Sequence, residues 1–516
     1  MALLKLWMVP KKIQWAVSLF GFSIFFFIAF LIKVPINGDT FYYAQSIIDF
    51  GSFSIHYGYF VLGSLLYFVF EKFGTSPLET LTYLSVLSGA ICVVGMFLFS
   101  FELTQNYFHA LLSSLTLLFS GAFWIFTEHG EVYVPQLALV LLSLQTIMWK
   151  LPLFSSLLFL FSVSITPTSC LALPALVYLM VYKKFKAKQI VYFGIPLVAS
   201  FLIVIVLGLS IIKGVVNWAI YSPSVFIHPF SFRTLLSWTV YHVLKVYGKS
   251  FNLFSFLAII GFILIWLREK KLFLLVIAFL MPFGLYLLNL GLLSEDHLII
   301  TFIPVSFLAS YGLVYIFRSL NFSTRTYALT VIPIMVFYSF ISYQIFISPA
   351  LRDSEEQMRV INMLNAEFET NSIMISDYNF GTAFWYLTQK EKNHFLLSGR
   401  PNCFLERECL DHEMCLKRLE TKFWVNISHL PGTLSQIEHF KEYALGRPVF
   451  FVDRLPWRSR LAQHLVFKGV IGDEQQMLYR SERLGKYLSK NFGYEVKFIK
   501  LIDSPLYPVY KMLTAP

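Results

Sequence analysis

Two carboxylates stand where long apolar runs of the chain end. Asp39 follows the first run, within the aromatic sequence NGDTFYY, and Glu131 follows the third, within HGEVY. A carboxylate can take a proton from a hydroxyl group, accept hydrogen bonds from hydroxyls, or help to hold a divalent cation. Ionisable groups near a hydrocarbon boundary are costly unless they line a polar cavity, and a solvated loop position or a helix cap is the alternative for each acid.

The composition excludes a soluble globular protein. The 516 residues are 57% hydrophobic, 18% aromatic and only 14% charged, which predicts a mainly α, polytopic helical membrane protein that lies in a lipid bilayer. The net charge is +11, but the basic residues stand between apolar runs, as determinants of membrane topology do. We therefore expect no nucleic-acid partner.

The apolar runs predict about 11 transmembrane helices with additional interfacial helices, and the first three predicted spans are 14–33, 80–101 and 108–127. The run at 59–74 is short and ends in charge, so either it spans or it lies in the interface. If it does not cross, the clusters KKFKAK (183–188) and REKK (268–271) are cytoplasmic together with the N-terminus, as the positive-inside rule favours. Asp39 and Glu131 then share the extracytoplasmic face.

The predicted domain boundary lies where apolar runs shorten and charge rises. Residues 1–349 form the transmembrane domain, with 34–79 as its first extracytoplasmic loop, and residues 350–516 form a soluble extracytoplasmic α/β domain. Amphipathic segments are predicted at 354–369 and 482–492. Buried strands are predicted at 372–377, 394–399, 423–428 and 448–453.

Three short motifs in this order resemble the GT-C superfamily of membrane glycosyltransferases, and within it the protein O-mannosyltransferase-like branch. They are NGDT with Gly38 and Asp39, SIHYGYF with His56, Gly58 and Tyr59, and HGEVY with Glu131, Val132 and Tyr133. The segment IMISDYNFGTAFWYLTQ at 373–389 is similar to the start of the family's terminal domain. The chain departs from the branch where the two prolines of a His-Pro-Pro-Gly segment are replaced by Tyr57.

The resemblance implies an inverting glycosyltransferase that moves a hexose such as mannose from a polyprenyl-phosphate-linked sugar to a protein or glycan hydroxyl outside the cytoplasm. Asp39 is the candidate base for the acceptor's proton. Glu131 hydrogen-bonds sugar hydroxyls, assists Asp39 or holds a divalent cation. His56 orients the acceptor or the phosphate, unless its role is structural. The aromatic residues expected at the substrate are Tyr42, Tyr43, Tyr59 and Tyr133.

The departing lipid phosphate needs cationic or hydrogen-bonding partners. The basic, aromatic loop 213–250 offers His228, Arg233 and His242 on the same face. Arg233 is preferred because a planar guanidinium suits phosphate oxygens, and contact with lipid headgroups is the alternative for each of these residues.

Neither a metal nor another cofactor is expected, although two carboxylates leave a divalent cation open. Cys403, Cys409 and Cys415 have the wrong spacing for usual zinc sites, which favours a disulfide. A lipid-linked-sugar transporter or flippase and a non-catalytic GT-C-like subunit remain as alternative functions. The scarcity of glycosylation sequons favours a bacterial inner membrane.

Overall fold

The computed structural model describes residues 10–32, 38–49, 56–206, 246–290, 296–320, 324–368, 373–375, 378–388, 395–397, 448–452 and 496–514. The chain divides into two compact units. The first unit comprises Met1–Leu31 and Ser46–Ser348, and the second comprises Ile32–Gln45 and Pro349–Pro516.

The first unit is helical throughout its described residues. Short 3-10 turns occur at Glu71–Phe73, Pro167–Ala172 and Asp296–Thr301, and a π turn at Tyr343–Ile347. Its α-helices are α1 (Lys11–Ala29), α2 (Gly38–Asp49, shared with the second unit), α3 (Tyr57–Phe70), α4 (Pro77–Thr104), α5 (Tyr107–Leu118), α6 (Gly121–Glu128), α7 (Tyr133–Met148), α8 (Pro152–Ile165), α9 (Leu173–Tyr182), α10 (Ala187–Val206), α11 (Leu253–Arg268), α12 (Lys270–Leu290), α13 (Phe302–Ser319) and α14 (Thr324–Ser342).

Four helical stretches of the described chain are long and apolar enough to cross a membrane. They are Lys11–Ala29, Pro77–Thr104, Leu298–Ser319 and Leu329–Glu367. α5 and α6 together pass the same test but meet at an angle of 62°, so they form a broken span or a re-entrant loop. Several further apolar helices are shorter. The long apolar helices support an integral membrane protein, whereas the predicted number of about 11 spans is not confirmed.

α4 lies at the centre of the first unit, where it packs against α1, α5 and α7. Its start is fixed by a capping box, in which the Ser76 hydroxyl accepts from the Glu79 backbone N–H while the Glu79 carboxylate accepts from Ser76. At its end the left-handed backbone of Gln105 stops the helix, and the Asn106 side chain caps α5. The tight turn places α5 beside α4.

Glycine allows the backbones of α11 and α13 to touch. A Cβ on Gly261 would lie 2.0 Å from the Leu308 carbonyl oxygen, and one on Gly312 would lie 2.3 Å from that of Leu257. Small residues are the usual means by which membrane helices approach this closely. The pair therefore fixes the positions of two helices far apart in sequence.

The second unit contains α15 (Ser348–Glu367), α16 (Tyr378–Thr388) and a five-stranded sheet. The strands are β1 (Ile373–Ile375), β2 (Phe395–Leu397), β3 (Val449–Val452), β4 (Val496–Ile502) and β5 (Val509–Thr514), in the spatial order β2-β1-β3-β5-β4. β1 pairs with β2 and β3 in parallel, and β5 pairs with β3 and β4 antiparallel.

The first three strands fall within predicted strand segments, and α15 overlaps the predicted amphipathic segment. The predicted strand at 423–428, the predicted amphipathic segment at 482–492 and the three clustered cysteines lie outside the described residues. Tyr507, between β4 and β5, donates its hydroxyl hydrogen to Asp353 of α15 over 2.7 Å. Both residues are buried, so this bond ties the helix to the turn beside the sheet.

Candidate active site

The segment HGEVY joins α6 to α7. α6 ends before His129, whose backbone is extended, and α7 accommodates Pro135 because the first turn of a helix does not need its N–H. Glu131 lies between the two helices and is only 1% exposed. The Ser85 hydroxyl, on α4, donates to the Glu131 carbonyl oxygen over 3.4 Å. The connection is therefore packed into the first unit.

His129 is a buried imidazole in the same segment. Burial lowers the pKa of His129 to about 4, because the charged ring would lose its hydration. The ring is thus neutral near pH 7 and adds no positive charge beside Glu131.

The start of α3 is held against the end of α8. The His56 Nδ1 donates a hydrogen bond to the Ile165 carbonyl oxygen over 2.7 Å. Gly58 lies so close to Ser164 that an added Cβ would be 2.1 Å from its hydroxyl oxygen. Tyr57, which replaces the prolines of the similar family motif, points outward and is 47% exposed. Two contacts to α8 therefore fix this segment without the prolines.

The structure brings Tyr59 of α3 and Glu131 together. The Tyr59 side chain is fully buried, and its phenol lies beside the Ser85 hydroxyl and interacts electrostatically with Glu131. Ser85 therefore connects two segments singled out in the sequence. Ser85 itself was not predicted, because a serine within an apolar helix gives no distinguishing signal in the sequence.

Tyr133 is the first residue of α7 and is half-buried. Its ring packs against Phe126 of α6, with the ring centroids 5.9 Å apart. Tyr133 thus lies at the same connection as Glu131, and its contact with a substrate stays a prediction.

Glu128 is a second buried carboxylate, which the sequence analysis did not select. Its Oε1 accepts a hydrogen bond from the Trp124 indole over 2.6 Å, and among the described residues its Oε2 has no hydrogen-bond partner. The spacing of four residues within an α-helix could have indicated the pair. The Trp124 ring also packs against Phe26, Phe30 and Tyr343, with centroid distances of 4.4, 5.3 and 6.3 Å.

A buried polar network extends from the start of α7. The Gln136 side-chain nitrogen donates to the hydroxyls of Thr168 and Ser169, each over 2.9 Å, and Ser169 lies 2.6 Å from the Ser162 hydroxyl. Such hydroxyl and amide groups are costly to bury in an apolar helical unit unless they are paired. This network therefore joins the first turn of α7 to α8 and to the turn after α8.

Asp39, the predicted base, lies in the first turn of α2 together with Tyr42 and Tyr43 in the same helix. Tyr43 is buried, and the neighbouring Phe41 ring packs against Tyr386, with centroids 5.5 Å apart, a contact within the second unit. The backbone placement of Asp39 and Tyr42 is described, but their side-chain contacts are not. The predicted phosphate-binding residues His228, Arg233 and His242 lie outside the described residues, so the roles of all five stay predictions.

Within the described part of the chain, no group of three or more His, Cys, Asp or Glu side chains is arranged to hold a metal ion. The expectation about cofactors accordingly remains untested.

No protein-family model matches the chain, and no curated protein sequence matches it. Solved structures, in contrast, are similar to the chain in fold. The apo structure of ArnT from Cupriavidus metallidurans superposes with a TM-score of 0.57 at 10% identity, covering 97% of this chain and 98% of that one. ArnT bound to undecaprenyl phosphate gives 0.54 at 10% identity, with 97% of both chains covered.

The oligosaccharyltransferase AglB of Archaeoglobus fulgidus, in complex with an inhibitory peptide and a dolichol-phosphate, gives a TM-score of 0.44 at 11% identity over 74% of this chain. In this comparison the chain spans 64% of the length of that enzyme. The similarity to ArnT covers nearly the full length of both chains, so the chain shares the fold of ArnT.

Proposed function

We propose that the chain is an inverting membrane glycosyltransferase that uses a polyprenyl-phosphate-linked sugar. The observation that carries the proposal is the fold shared with ArnT over 97% of both chains, since ArnT was solved with undecaprenyl phosphate bound. One fold can host several reactions, so the proposal also rests on the carboxylates of the site. The transferred group is a hexose, with mannose as the first candidate, and the acceptor is a protein or glycan hydroxyl.

The proposed reaction is a single displacement at the anomeric carbon. Asp39 takes the proton of the acceptor hydroxyl as its oxygen bonds to the anomeric carbon. The bond from that carbon to the phosphate oxygen breaks, and its electron pair stays on the lipid phosphate. Attack from the face opposite to the leaving phosphate inverts the configuration. A positioned base of this kind contributes about 10²–10⁴-fold in rate.

Glu131 could either contact the sugar directly or position another residue, and its burial bears on this choice. A carboxylate that contacts sugar hydroxyls must be reachable from the substrate cavity, whereas Glu131 is 1% exposed. Its interaction with Tyr59 and the Ser85 bond to its backbone suit a positioning residue. We therefore favour a role in which Glu131 holds Tyr59 in place, and direct contact with the sugar is the second candidate.

The leaving phosphate requires positive charge where its own charge develops. In the proposal, Arg233 supplies it with a planar pair of N–H donors, and His228 and His242 in the same loop add hydrogen bonds. These three assignments rest on the amino-acid sequence. The N-terminus is proposed to be cytoplasmic and the reaction extracytoplasmic, in a bacterial inner membrane, without a metal cofactor.

Purified protein in lipid vesicles can test the reaction with a panel of radiolabelled polyprenyl-phosphate hexoses and a membrane extract as the source of acceptors. We expect label to move to an acceptor as free polyprenyl phosphate accumulates. Asp39→Asn should lower this rate by about 10²–10⁴-fold, because an amide cannot take the proton. Asp49→Asn, at the other end of α2, is the matched control and should retain activity.

Three results would contradict parts of the proposal. Movement of the intact donor across the bilayer would identify a flippase. No consumption of any donor in the panel, with extract present, would favour a non-catalytic subunit. Full transfer by the Asp39→Asn protein would reject Asp39 as the base while leaving the glycosyltransferase standing.

A further inference from the structure

A concave apolar groove lies between α1, α5 and α14 of the first unit. Its volume is about 620 Å³, within the range of sites that hold small molecules. The lining is almost entirely hydrocarbon and aromatic, and it includes Trp15, Phe22, Phe26, Tyr107, Leu115 and Met335. None of these residues belongs to the proposed active site, so the groove needs a separate explanation.

The groove has a defined direction. Lys12 at the start of α1 forms an ion pair with Glu102 at the end of α4, where α5 begins after a two-residue turn. At the opposite end, Phe26 of α1 packs against Phe119 just after α5, with the ring centroids 5.4 Å apart. α1 and α5 therefore run in the same direction, and Trp15 and Tyr107 line the same end of the groove.

The groove opens away from the protein core. Trp15 is 43% exposed and Phe22 46% exposed, and on α14 Ile332 and Val336 are 61% and 63% exposed. α1 and the stretch that contains α14 are candidate membrane spans. The opening therefore faces the hydrocarbon of the bilayer, where an occupant with polar groups along its length would be costly. A hydrocarbon chain fits this lining.

One end of the groove carries features of a membrane interface. Trp15 and Tyr107 are residue types enriched at the level of lipid headgroups. Lys11 is exposed and precedes Trp15 by one helical turn, so it stands on the same face of α1. A positive charge beside interfacial aromatics attracts an anionic headgroup.

We propose that the groove binds one acyl chain of an anionic phospholipid, with the headgroup phosphate at Lys11. The occupant belongs to the membrane leaflet at the start of α1. It differs from the sugar donor of the proposed function, because Glu131 of the proposed active site closely follows the Trp124–Glu128 pair, which lies at the Phe26 end of α1, away from Lys11. The bound lipid is thus a fixed part of the first unit and is not consumed in the reaction.

Native mass spectrometry of the full chain, purified in mild detergent, tests the groove directly. We expect phospholipid to remain bound. Val336→Trp should fill the groove and lower the retained phospholipid at least fivefold, whereas Val181→Trp, at a similarly exposed site on α9, should not change it. Ile332→Trp provides a second groove-filling variant, and thermal unfolding of each protein checks that it is folded.

Lipid exchange in nanodiscs tests the headgroup. Lys11→Gln should reduce the preference for anionic over zwitterionic phospholipid by about fivefold, as expected for one lysine near a charged surface. Retention of an isoprenoid phosphate instead of a phospholipid would overturn the proposal. It would also be overturned if both groove-filling variants retained as much phospholipid as the original protein, or if the original protein retained none. An unchanged lipid preference in the Lys11 variant would overturn the placement of the headgroup.

Discussion

Replacing Gly58 with alanine should separate the start of α3 from the end of α8. The new Cβ would lie 2.1 Å from the Ser164 hydroxyl oxygen and 3.0 Å from both the Ser164 Cβ and its carbonyl carbon. The hydroxyl can rotate, but the backbone carbon cannot move without shifting α8. Overpacking of this kind typically costs about 1–3 kcal/mol.

The same displacement should reach the active site. Tyr59 follows Gly58 directly, and its buried phenol lies beside Ser85 and Glu131. We therefore expect the Gly58→Ala protein to unfold at a lower temperature and to transfer sugar more slowly, even though no proposed catalytic group is altered. Thermal unfolding in detergent and the vesicle transfer assay measure the two effects.

A double-mutant cycle makes this prediction specific. Ser164→Gly removes the hydroxyl and Cβ that the new methyl group would meet, so it should recover part of the stability lost through Gly58→Ala, with a coupling energy of about 0.5–3 kcal/mol. Gly21→Ala is the matched control, because an added Cβ there meets nothing within 4 Å. Unchanged stability in Gly58→Ala, or strictly additive effects in the double variant, would refute the proposed contact.

Two further predictions concern a buried imidazole and a helix contact. Because the pKa of His129 is about 4 in the fold and ordinarily 6.5, the unfolded chain binds the proton first, and stability should fall from about pH 6.5 to about pH 4. The loss of stability should reach about 2 kcal/mol at pH 5. Thermal unfolding at several pH values measures it, and a His129→Gln protein as sensitive to acid as the original would disprove the prediction. Gly261→Ala should destabilise the protein by about 1–3 kcal/mol, because the Leu308 carbonyl cannot move aside. Gly284→Ala is its control, since nothing lies within 4 Å there, and equal unfolding temperatures for the two variants would contradict the contact.

The longest apolar helices could be predicted from the sequence because length and hydrophobicity alone mark a span. The predicted spans 14–33 and 80–101 overlap α1 and α4. The predicted span 108–127 is instead two helices that meet at 62°. Gly121 begins the second of them and packs so tightly on Phe346 that an added Cβ would be 2.1 Å from its ring. A contact over that sequence distance could not be inferred from local composition.

The site could be predicted only in part for the same reason. The motif resemblance selected Tyr59 and Glu131, which the structure brings together. It did not select Glu128 and Ser85, which stand out in the structure because they are buried and because of the residues they contact. A carboxylate in a loop and one enclosed by a protein core look alike in a sequence, since burial depends on how distant helices pack.

The bond from His56 to Ile165 has a consequence for what this histidine can recognise. A carbonyl oxygen can only accept, so the hydrogen resides on Nδ1, and in the neutral tautomer Nε2 presents a lone pair. In the proposed function, a nitrogen with a lone pair suits the hydroxyl of the acceptor, which can donate a hydrogen bond to it. It can serve a fully ionised phosphate only after the ring has gained a second proton, so neutral His56 would discriminate in favour of the alcohol over the lipid phosphate.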